Sequence, residues 1–175
     1  MILSRATIAT PIGDMLALAT GDTLCALEFI GPRKRLTRLD RRLARWFPPH
    51  RIVDGETAAT ARTRTWLAAY FDGGAAPGDL PIAMHGAPFE QKVWRALLRI
   101  APGETTSYGA IAAALGSPAA SRAVGAANGA NPIAIVVPCH RVIGSSGSLV
   151  GYGGGLNRKT WLLDHERRWR NDSLF

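Results

Sequence analysis

The chain has few cysteines and no long apolar run. Its two cysteines, Cys25 and Cys139, are too few for a disulfide-stabilised scaffold, which predicts a reducing compartment. Arg5 and nearby threonines interrupt the start of the chain, which therefore does not have the pattern of a secretory signal peptide. No stretch has the length of a membrane-spanning helix. These absences predict a cytoplasmic protein without a membrane partner.

Acidic residues and lysines are also scarce. The chain has 21 basic residues, of which only three are lysines, against 13 acidic residues, and its formal charge is +8. Such an excess suits a polyanionic partner, either nucleic acid or an acidic membrane surface, and net charge alone does not distinguish the two. The preference for arginine fits phosphate recognition and equally fits a biased genome composition.

The overall composition is that of a globular protein. Hydrophobic residues make up 47% and charged residues 19% of the 175 residues, which argues against a largely disordered chain. Residues 72–88 are rich in glycine and proline, as is typical of a linker between two halves. We therefore predict an N-terminal α/β domain over residues 1–80 and a C-terminal domain over residues 86–175.

Residues 2–30 predict a sheet of short strands. Turn-forming residues at 11–14 separate runs of alternating character, as in a β-meander. A period of two places Cys25, Leu27 and Phe29 on one face of the last strand. Cys25 is therefore most simply interpreted as a small buried hydrophobic residue.

Two helices are predicted after this sheet. The first begins with Pro32 and carries one stripe of leucines, and the second spans residues 57–71. Seven basic residues and a single acidic residue lie between Arg33 and Arg45 on the first helix. A stretch of this kind is most often a solvated helix face. The alternative is that it contacts nucleic acid phosphates.

The second half is predicted to be helical at first. Pro88 begins an amphipathic helix that residues 101–103 terminate. Ser107 can cap a short helix over residues 108–115, and a further short helix ends near Asn128. Two short helices joined by a Gly-Ser-Pro connection are typical of a helix-turn-helix.

The second of these short helices has almost no apolar bulk. Ser121, Ala123 and Gly125 are all small, and Arg122 is its only long side chain. Tight packing against another helix explains such a surface. Close approach of a ligand backbone explains it equally well, and the segment alone does not decide between the two.

Cys139 and His140 are neighbours that follow an apolar run at residues 133–137. The run is typical of a short buried strand that ends at Pro138, so Cys139 is expected where a strand leaves the core. Activation of a thiol needs a base or a positive field, and His140 and Arg141 are groups of these two types. Because adjacent side chains diverge, a bridging water is expected between thiol and imidazole.

Several interpretations of this pair remain open. Glu166 is a candidate to orient the imidazole, which would complete a catalytic arrangement. The pair taken alone is more simply a buried cysteine beside a surface histidine. A metal site has less support, because the ligand spacing is wrong and the other histidines are scattered. A papain-like hydrolase would need its cysteine and histidine far apart in sequence.

Longer motifs make the chain similar to a known family. Residues 131–144, NPIAIVVPCHRVIG, and residues 151–166, GYGGGLNRKTWLLDHE, resemble the active-site block of the methylated-DNA–protein-cysteine methyltransferases, or O6-alkylguanine-DNA alkyltransferases. Residues 89–132 resemble the helix-turn-helix that precedes this block in the family. The first half resembles the family only loosely, through the order of its elements and the tetrapeptide TPIG.

The resemblance implies a fold and a set of catalytic residues. The fold is α/β with two small domains: an N-terminal antiparallel sheet with helices, which is ribonuclease H-like, and a C-terminal helical domain. The C-terminal domain contains the helix-turn-helix and a short strand that carries the active cysteine. Cys139 is implied to be the nucleophile and alkyl acceptor, His140 its base through a water, and Glu166 the group that orients and charges the imidazole. Tyr108 is implied to hydrogen-bond the guanine ring, and Asn131 to tie the strand to the recognition helix.

The resemblance also implies how DNA is held. The recognition helix enters the minor groove, and Arg122 fills the stack that the flipped nucleotide vacates. The residues implied to contact DNA are Ser121, Arg122, Ala123 and Gly125. Those implied to line the substrate pocket are Val142, Tyr152, Gly153 and Gly154.

The implied function is DNA repair by a stoichiometric methyltransferase. The partner is double-stranded DNA that contains O6-alkylguanine, and each molecule reacts once because a thioether has no easy leaving route. No cofactor and no obligatory protein partner are implied. The alternatives are a lesion sensor that binds without reacting, as in relatives that lack the cysteine, and a cysteine hydrolase that ignores DNA.

Two departures from the family pattern carry expectations. Some relatives bind zinc in the first domain, but Cys25 is the only cysteine in this half, so no metal site is expected. Gly153 replaces a small hydroxyl residue found in some relatives. That change either widens the pocket toward bulkier alkyl groups or only removes a minor hydrogen bond.

Overall fold

The protein divides into two compact units, Met1–His85 and Gly86–Phe175. A computed structural model describes residues 1–73 and 78–172, so residues 74–77 of the expected linker lie outside the described residues. The domain bounds inferred from the sequence, residues 1–80 and 86–175, remain a prediction.

The first unit contains a four-stranded sheet in the order β3-β2-β1-β4. Its strands are β1 Ile2–Ile8, β2 Met15–Thr20, β3 Thr23–Phe29 and β4 Arg51–Asp54. The meander β1-β2-β3 is antiparallel, as the sequence predicts. The prediction of an antiparallel sheet is wrong for the fourth strand, however, because β4 pairs with β1 in parallel. A parallel partner needs a crossover connection, and the first helix supplies it.

Two helices accompany this sheet, α1 Arg33–Trp46 and α2 Ala58–Asp72, close to the predicted bounds. The leucines of α1 face the sheet, where Leu39 and Leu43 join a buried cluster with Leu3 and Leu18. Cys25 belongs to this cluster and is fully buried, as expected. The helix α2 begins with a reciprocal Thr57–Thr60 capping box and contacts the meander.

The second unit is mainly helical. Its helices are α3 Pro88–Leu97, α4 Tyr108–Ala114, α5 Ser121–Gly129 and α6 Leu156–Asp172. A two-stranded parallel sheet joins β5 Thr106–Ser107 to β6 Val142–Ile143. The predicted cap is confirmed, since the Ser107 hydroxyl accepts the Ala110 N–H at 3.1 Å.

The helices α4 and α5 contact each other and flank a 3₁₀ turn at Pro118–Ala120. The indole of Trp94 on α3 donates to the Ala127 carbonyl at 2.8 Å, which fixes α5 against α3. Assignment as a helix-turn-helix remains a prediction, as does the ribonuclease H-like class of the first unit. None of the helices in the described parts of the chain has both the length and the apolar character that crossing a membrane requires.

Candidate active site

The apolar segment before Cys139 is not a strand, contrary to the sequence prediction. Residues 134–136 form a turn, and a backbone bond closes it: Val137 N–H donates to the Ile133 carbonyl at 3.0 Å. Ile135 has a φ of 69°, a left-handed conformation that ends any extended pairing. Cys139 instead lies in a 3₁₀ turn, Cys139–Arg141, that leads directly into β6.

Asn131 closes this turn segment. Its amide Nδ2 donates to the Val137 carbonyl at 2.8 Å, and its Oδ1 accepts the Ile133 N–H at 2.9 Å. Since Asn131 follows α5 and Val137 lies just before the reactive turn, the side chain joins the end of one to the start of the other. The contact matches the connection that the resemblance implies, and its catalytic importance remains a proposal.

Cys139 lies at the surface end of a buried cluster. The residue keeps 5% of its area exposed, whereas His140 and Glu166 have none. Its carbonyl accepts two hydrogen bonds, one from the Asn128 side-chain amide at 3.3 Å and one from the backbone N–H of Val142. These two bonds hold the turn from the side of α5 and from β6, so the thiol is placed on an anchored backbone.

His140 and Glu166 form the buried pair that the sequence suggested. The imidazole Nε2 lies 2.7 Å from Glu166 Oε1. Burial lowers the pKa of His140, and the carboxylate only partly opposes that effect, so the ring is neutral at pH 7. Because a carboxylate only accepts, Nε2 carries the proton and Nδ1 keeps its lone pair. That Nδ1 has no hydrogen-bond partner among the described residues.

Arg141 is the second partner of Glu166. Its Nε and Nη2 each donate to one carboxylate oxygen at 2.8 Å, a two-pronged pairing. The backbone N–H of Gly103 adds a bond to Oε2 at 3.2 Å. Burial alone would raise the pKa of Glu166, but hydrogen bonds and charge from His140 and Arg141 hold it well below its ordinary range. The carboxylate is therefore a permanent anion.

Lys159 places a second charge beside the reactive turn. It is fully buried, and its Nζ donates to the carbonyls of Val142, Val150 and Gly151 at 2.6, 3.1 and 3.1 Å. Burial lowers the pKa of this ammonium, and negative charge on Cys139 opposes that effect. The same interaction, seen from the sulfur, favours the thiolate.

Tyr108 and Tyr152 lie near the same turn. The Tyr108 hydroxyl donates to the Val150 carbonyl at 2.9 Å. Burial raises the pKa of Tyr108, and negative charge on Cys139 raises it further, so this phenol stays protonated. The ring of Tyr152 meets that of His140 edge to face, with centroids 6.5 Å apart. Both tyrosines named from the sequence therefore lie in the environment of the Cys139–His140 pair.

The predicted pocket residues differ in burial. Val142 and Gly154 are buried, whereas Tyr152 and Gly153 are half-buried. Gly153 and Gly154 form the turn immediately before α6. Among the described residues, no group of three or more histidine, cysteine, aspartate or glutamate side chains is arranged to hold a metal ion.

The residues predicted to contact DNA lie along α5. Arg122 and Ala123 are exposed, and Ser121 and Gly125 are half-buried. A Cβ built on Gly125 would lie 3.7 Å from the Tyr108 ring, an ordinary contact, so an alanine there fits. Gly125 thus faces Tyr108, the residue implied to hydrogen-bond guanine. Arg122 and Ala123 lie on the exposed side of α5.

Sequence reasoning missed Lys159 and Asn128 and gave Arg141 only a general charge role. A signal for Lys159 existed: Lys159, Leu162, Leu163 and Glu166 follow the i, i+3, i+4, i+7 spacing of one helix face, and all four are buried. Charged residues at two positions of an apolar stripe indicate buried partners. Asn128 had no comparable signal.

The chain is similar in sequence to proteins of a known family. Residues 88–168 match the family described as 6-O-methylguanine DNA methyltransferase, DNA binding domain. The methylated-DNA–protein-cysteine methyltransferase of Mycobacterium leprae is 45% identical over 90% of this chain and 88% of its own length. The corresponding Mycolicibacterium paratuberculosis protein is 48% identical over 96% and 94%.

A solved structure shows the same similarity in three dimensions. The crystal structure of Mycobacterium tuberculosis OGT in complex with DNA has a TM-score of 0.78 and 41% identity to this chain. The alignment covers 97% of this chain and 94% of that one. With nearly full-length similarity in sequence and in structure, the chain belongs to the methylated-DNA–protein-cysteine methyltransferase family.

Proposed function

We propose that the protein repairs DNA by moving the alkyl group of O6-alkylguanine onto Cys139, once per molecule. One observation carries the proposal. The buried Glu166 carboxylate fixes a neutral His140 whose Nδ1 has no partner among the described residues, and His140 directly follows the slightly exposed Cys139. Nucleophilic catalysis by a thiol needs a base of this kind, with a free lone pair.

The chemical step balances without a co-reactant. His140 Nδ1 takes the proton of the Cys139 thiol through a water, and the thiolate attacks the alkyl carbon. The bond from that carbon to guanine O6 breaks as the carbon–sulfur bond forms. The departing guanine gains a proton and the imidazolium gives one up, so overall the thiol proton is transferred to guanine. Negative charge on Glu166 stabilises the transient imidazolium, and the Lys159 ammonium favours the thiolate.

Tyr108 takes part by donating a hydrogen bond to guanine. In the structure its hydroxyl donates to Val150 O, and a phenol has one proton to donate. Substrate entry therefore requires the hydroxyl to exchange the carbonyl for an acceptor on the guanine ring. Val150 O keeps a donor throughout that exchange, because Lys159 Nζ also bonds to it at 3.1 Å.

The target atom is reached by flipping the nucleotide out of the duplex. A base inside the stack is inaccessible to a thiol on a turn, and extrusion costs only a few kcal/mol. The exposed side of α5 combines the small Ala123 with the long Arg122, which allows close groove approach and leaves one planar cation to fill the gap. We assign α4 and α5 as the helix-turn-helix that performs this insertion.

The base is received by Val142, Tyr152, Gly153 and Gly154. Tyr152 presents an aromatic ring beside His140, and the two glycines before α6 leave room for a purine. Both readings of Gly153 stay open: a pocket wide enough for larger alkyl groups, or the loss of one minor hydrogen bond. The rates with O6-methylguanine and O6-benzylguanine, compared between wild type and Gly153→Ser, separate the two.

Stoichiometry tests the proposal. A duplex with one O6-methylguanine is supplied in excess over the protein, and repaired guanine is counted over time. Repair is expected to stop when one guanine has been repaired per protein molecule. A lesion sensor would bind the duplex and repair none, and repeated turnover would require a leaving route for the thioether. Either result contradicts the proposal.

A further inference from the structure

The helix α1 carries a continuous positive face that the proposed chemistry does not use. The exposed cations of α1 are Arg33, Lys34, Arg38, Arg41 and Arg45. At 100° per residue they fall within an arc of about 140° and span about 18 Å along the axis. A surface cavity of about 400 Å³ lies over this face, lined by Arg33, Lys34, Thr37, Arg38 and Arg41. We call these five cations the basic face.

The net positive charge of the first unit comes from this helix alone. Within residues 1–85, the part outside α1 has four basic and seven acidic residues, whereas α1 has seven basic residues and one acidic residue. An arginine excess that merely reflected genome composition would be spread over the unit. The segregation onto one helix therefore calls for a local explanation.

The remaining two cations of α1 are accounted for inside the unit. Arg35 makes a two-pronged pair with the buried Glu28, with both bonds at 2.8 Å. Arg42 lies over the Trp46 ring, 5.3 Å from its centroid. The basic face is distinct from these two, because its five members are all exposed to solvent.

The basic face works against the stability of its own helix. Lys34 with Arg38, and Arg41 with Arg45, are like charges four residues apart, a spacing at which side chains repel. The first turn contains cations and no acidic residue, which opposes the helix dipole. An exposed arrangement that costs folding free energy is typical of a binding surface.

We propose that the basic face binds the phosphate backbone of DNA, as a contact additional to the unit that carries Cys139. The inference rests on the proposed function, in which DNA is the substrate. Four of the five cations are arginines, whose planar fork matches phosphate. A membrane surface fits less well, since an interfacial helix must insert an apolar face, and the leucines of α1 are packed in the core with Leu3 and Leu18.

Salt dependence of binding to undamaged duplex DNA tests this contact. The variant Arg33→Gln with Arg41→Gln removes two charges from the basic face, and Arg51→Gln with Arg62→Gln removes two exposed charges elsewhere in the same unit. Each phosphate contact contributes about 0.9 to the slope of log K against log salt, so the first variant is expected to lower the slope by about 1 to 2 and affinity by about tenfold.

The control variant is expected to keep the wild-type slope. A second pair on the same face, Lys34→Gln with Arg45→Gln, repeats the test and is expected to behave like the first. An unchanged slope in both α1 variants, or an equal drop in the control, overturns the inference. The inference is also overturned, in favour of a membrane, if the α1 variants lose binding to vesicles of phosphatidylcholine and phosphatidylserine but keep the wild-type salt slope with DNA.

Failure of this inference can be told apart from failure of the proposed function. Methylation of wild-type protein by free O6-methylguanine base needs no DNA contact. A wild type that is methylated while all variants share its salt slope leaves the proposed function standing and removes the role of the basic face. A wild type that is not methylated by base or duplex removes the proposed function whatever the slopes are.

Discussion

Lys159 and Glu166 lie two turns apart on one face of α6, both fully buried and opposite in charge. Lys159 reaches the carbonyl of Val142, and Glu166 reaches the side chains of His140 and Arg141. One helix therefore holds the segment from His140 to Val142 through a cation and an anion. Replacing each charge in turn separates what the cation and the anion contribute.

Replacing Glu166 by glutamine removes the charge and keeps the shape. Arg141 then loses its carboxylate partner while remaining buried, and breaking a buried pair from one side costs about 3–5 kcal/mol. We expect the unfolding free energy from urea titration to fall by about 3 kcal/mol. Transfer of the alkyl group is expected to slow by at least about 100-fold, since the base loses its orienting group.

Glu104→Gln is the matched control, because that side chain is exposed. It should change the unfolding free energy by less than about 0.5 kcal/mol and leave the transfer rate unchanged. A Glu166→Gln protein as stable and as fast as the control would mean that the buried carboxylate neither supports the fold nor orients His140.

Lys159→Met tests the buried ammonium. Methionine keeps the apolar stem but leaves the carbonyls of Val142, Val150 and Gly151 without this donor. We expect a loss of about 1–3 kcal/mol in unfolding free energy, because the carbonyl of the buried Val142 loses this donor and an unsatisfied buried acceptor is costly. Removing a nearby positive charge also disfavours the thiolate, so the rate at which iodoacetamide modifies Cys139 at pH 7 should fall about threefold or more.

The iodoacetamide measurement needs the Cys139→Ser protein as a background for Cys25. Equal modification rates in wild type and Lys159→Met would exclude an electrostatic role for the ammonium. A stability loss without a rate change would then leave Lys159 as a structural tether of the loop at Val150.

The stability of the protein should depend on pH through His140. Burial lowers its folded-state pKa below the ordinary value of 6.5, so below pH 6.5 the unfolded chain takes up a proton that the folded chain does not. The unfolding free energy therefore falls as the pH drops from 7 toward 5, by at most about 1.4 kcal/mol per pH unit. The depressed pKa of Glu166 acts in the same direction, but only below about pH 4.5.

His140→Gln cannot titrate, so the difference between wild type and this variant isolates the histidine. We expect the wild-type unfolding free energy to fall more steeply than that of His140→Gln between pH 7 and pH 5. Parallel curves would show that His140 gains its proton equally in the folded and unfolded states, which the lowered pKa of the buried imidazole does not allow.

Arg122→Ala tests base flipping apart from duplex binding. Arg122 is exposed on α5, so its loss should leave the fold intact. We expect binding to a duplex with O6-methylguanine to weaken more than binding to an undamaged duplex, because only the flipped state has a gap to fill. Arg99→Ala, an exposed arginine outside α5, is the control. Equal losses on both duplexes would exclude the proposed insertion.

Local patterns predicted the elements of the fold well where side chains follow a simple period. The leucine stripe of α1 and the Ser107 cap are both confirmed. The strand before Cys139 was wrong, because five apolar residues indicate burial and not backbone direction. Asn131 redirects the chain there by bonding to Val137 and Ile133, and Ile135 takes a left-handed φ. Side-chain and backbone hydrogen bonds together hold this turn, and no periodicity reveals them.

The site was predictable only in part for a similar reason. Glu166 and His140 could be paired because a family motif carries both, and the structure brings them to 2.7 Å. The helical period indicates that Lys159 is buried, but not that it binds three backbone carbonyls, because backbone acceptors leave no signature in sequence. Asn128 likewise donates to a backbone carbonyl, that of Cys139. Contacts of side chains with backbone have to be read from the folded chain.

Intact protein mass after incubation with a duplex that contains O6-methylguanine tests the central claim most directly. We predict a gain of one methylene unit per molecule, located on the peptide that contains Cys139 and absent from Cys139→Ala. An unchanged mass with the lesion still in the DNA, or a methyl group on any other residue, would contradict the account.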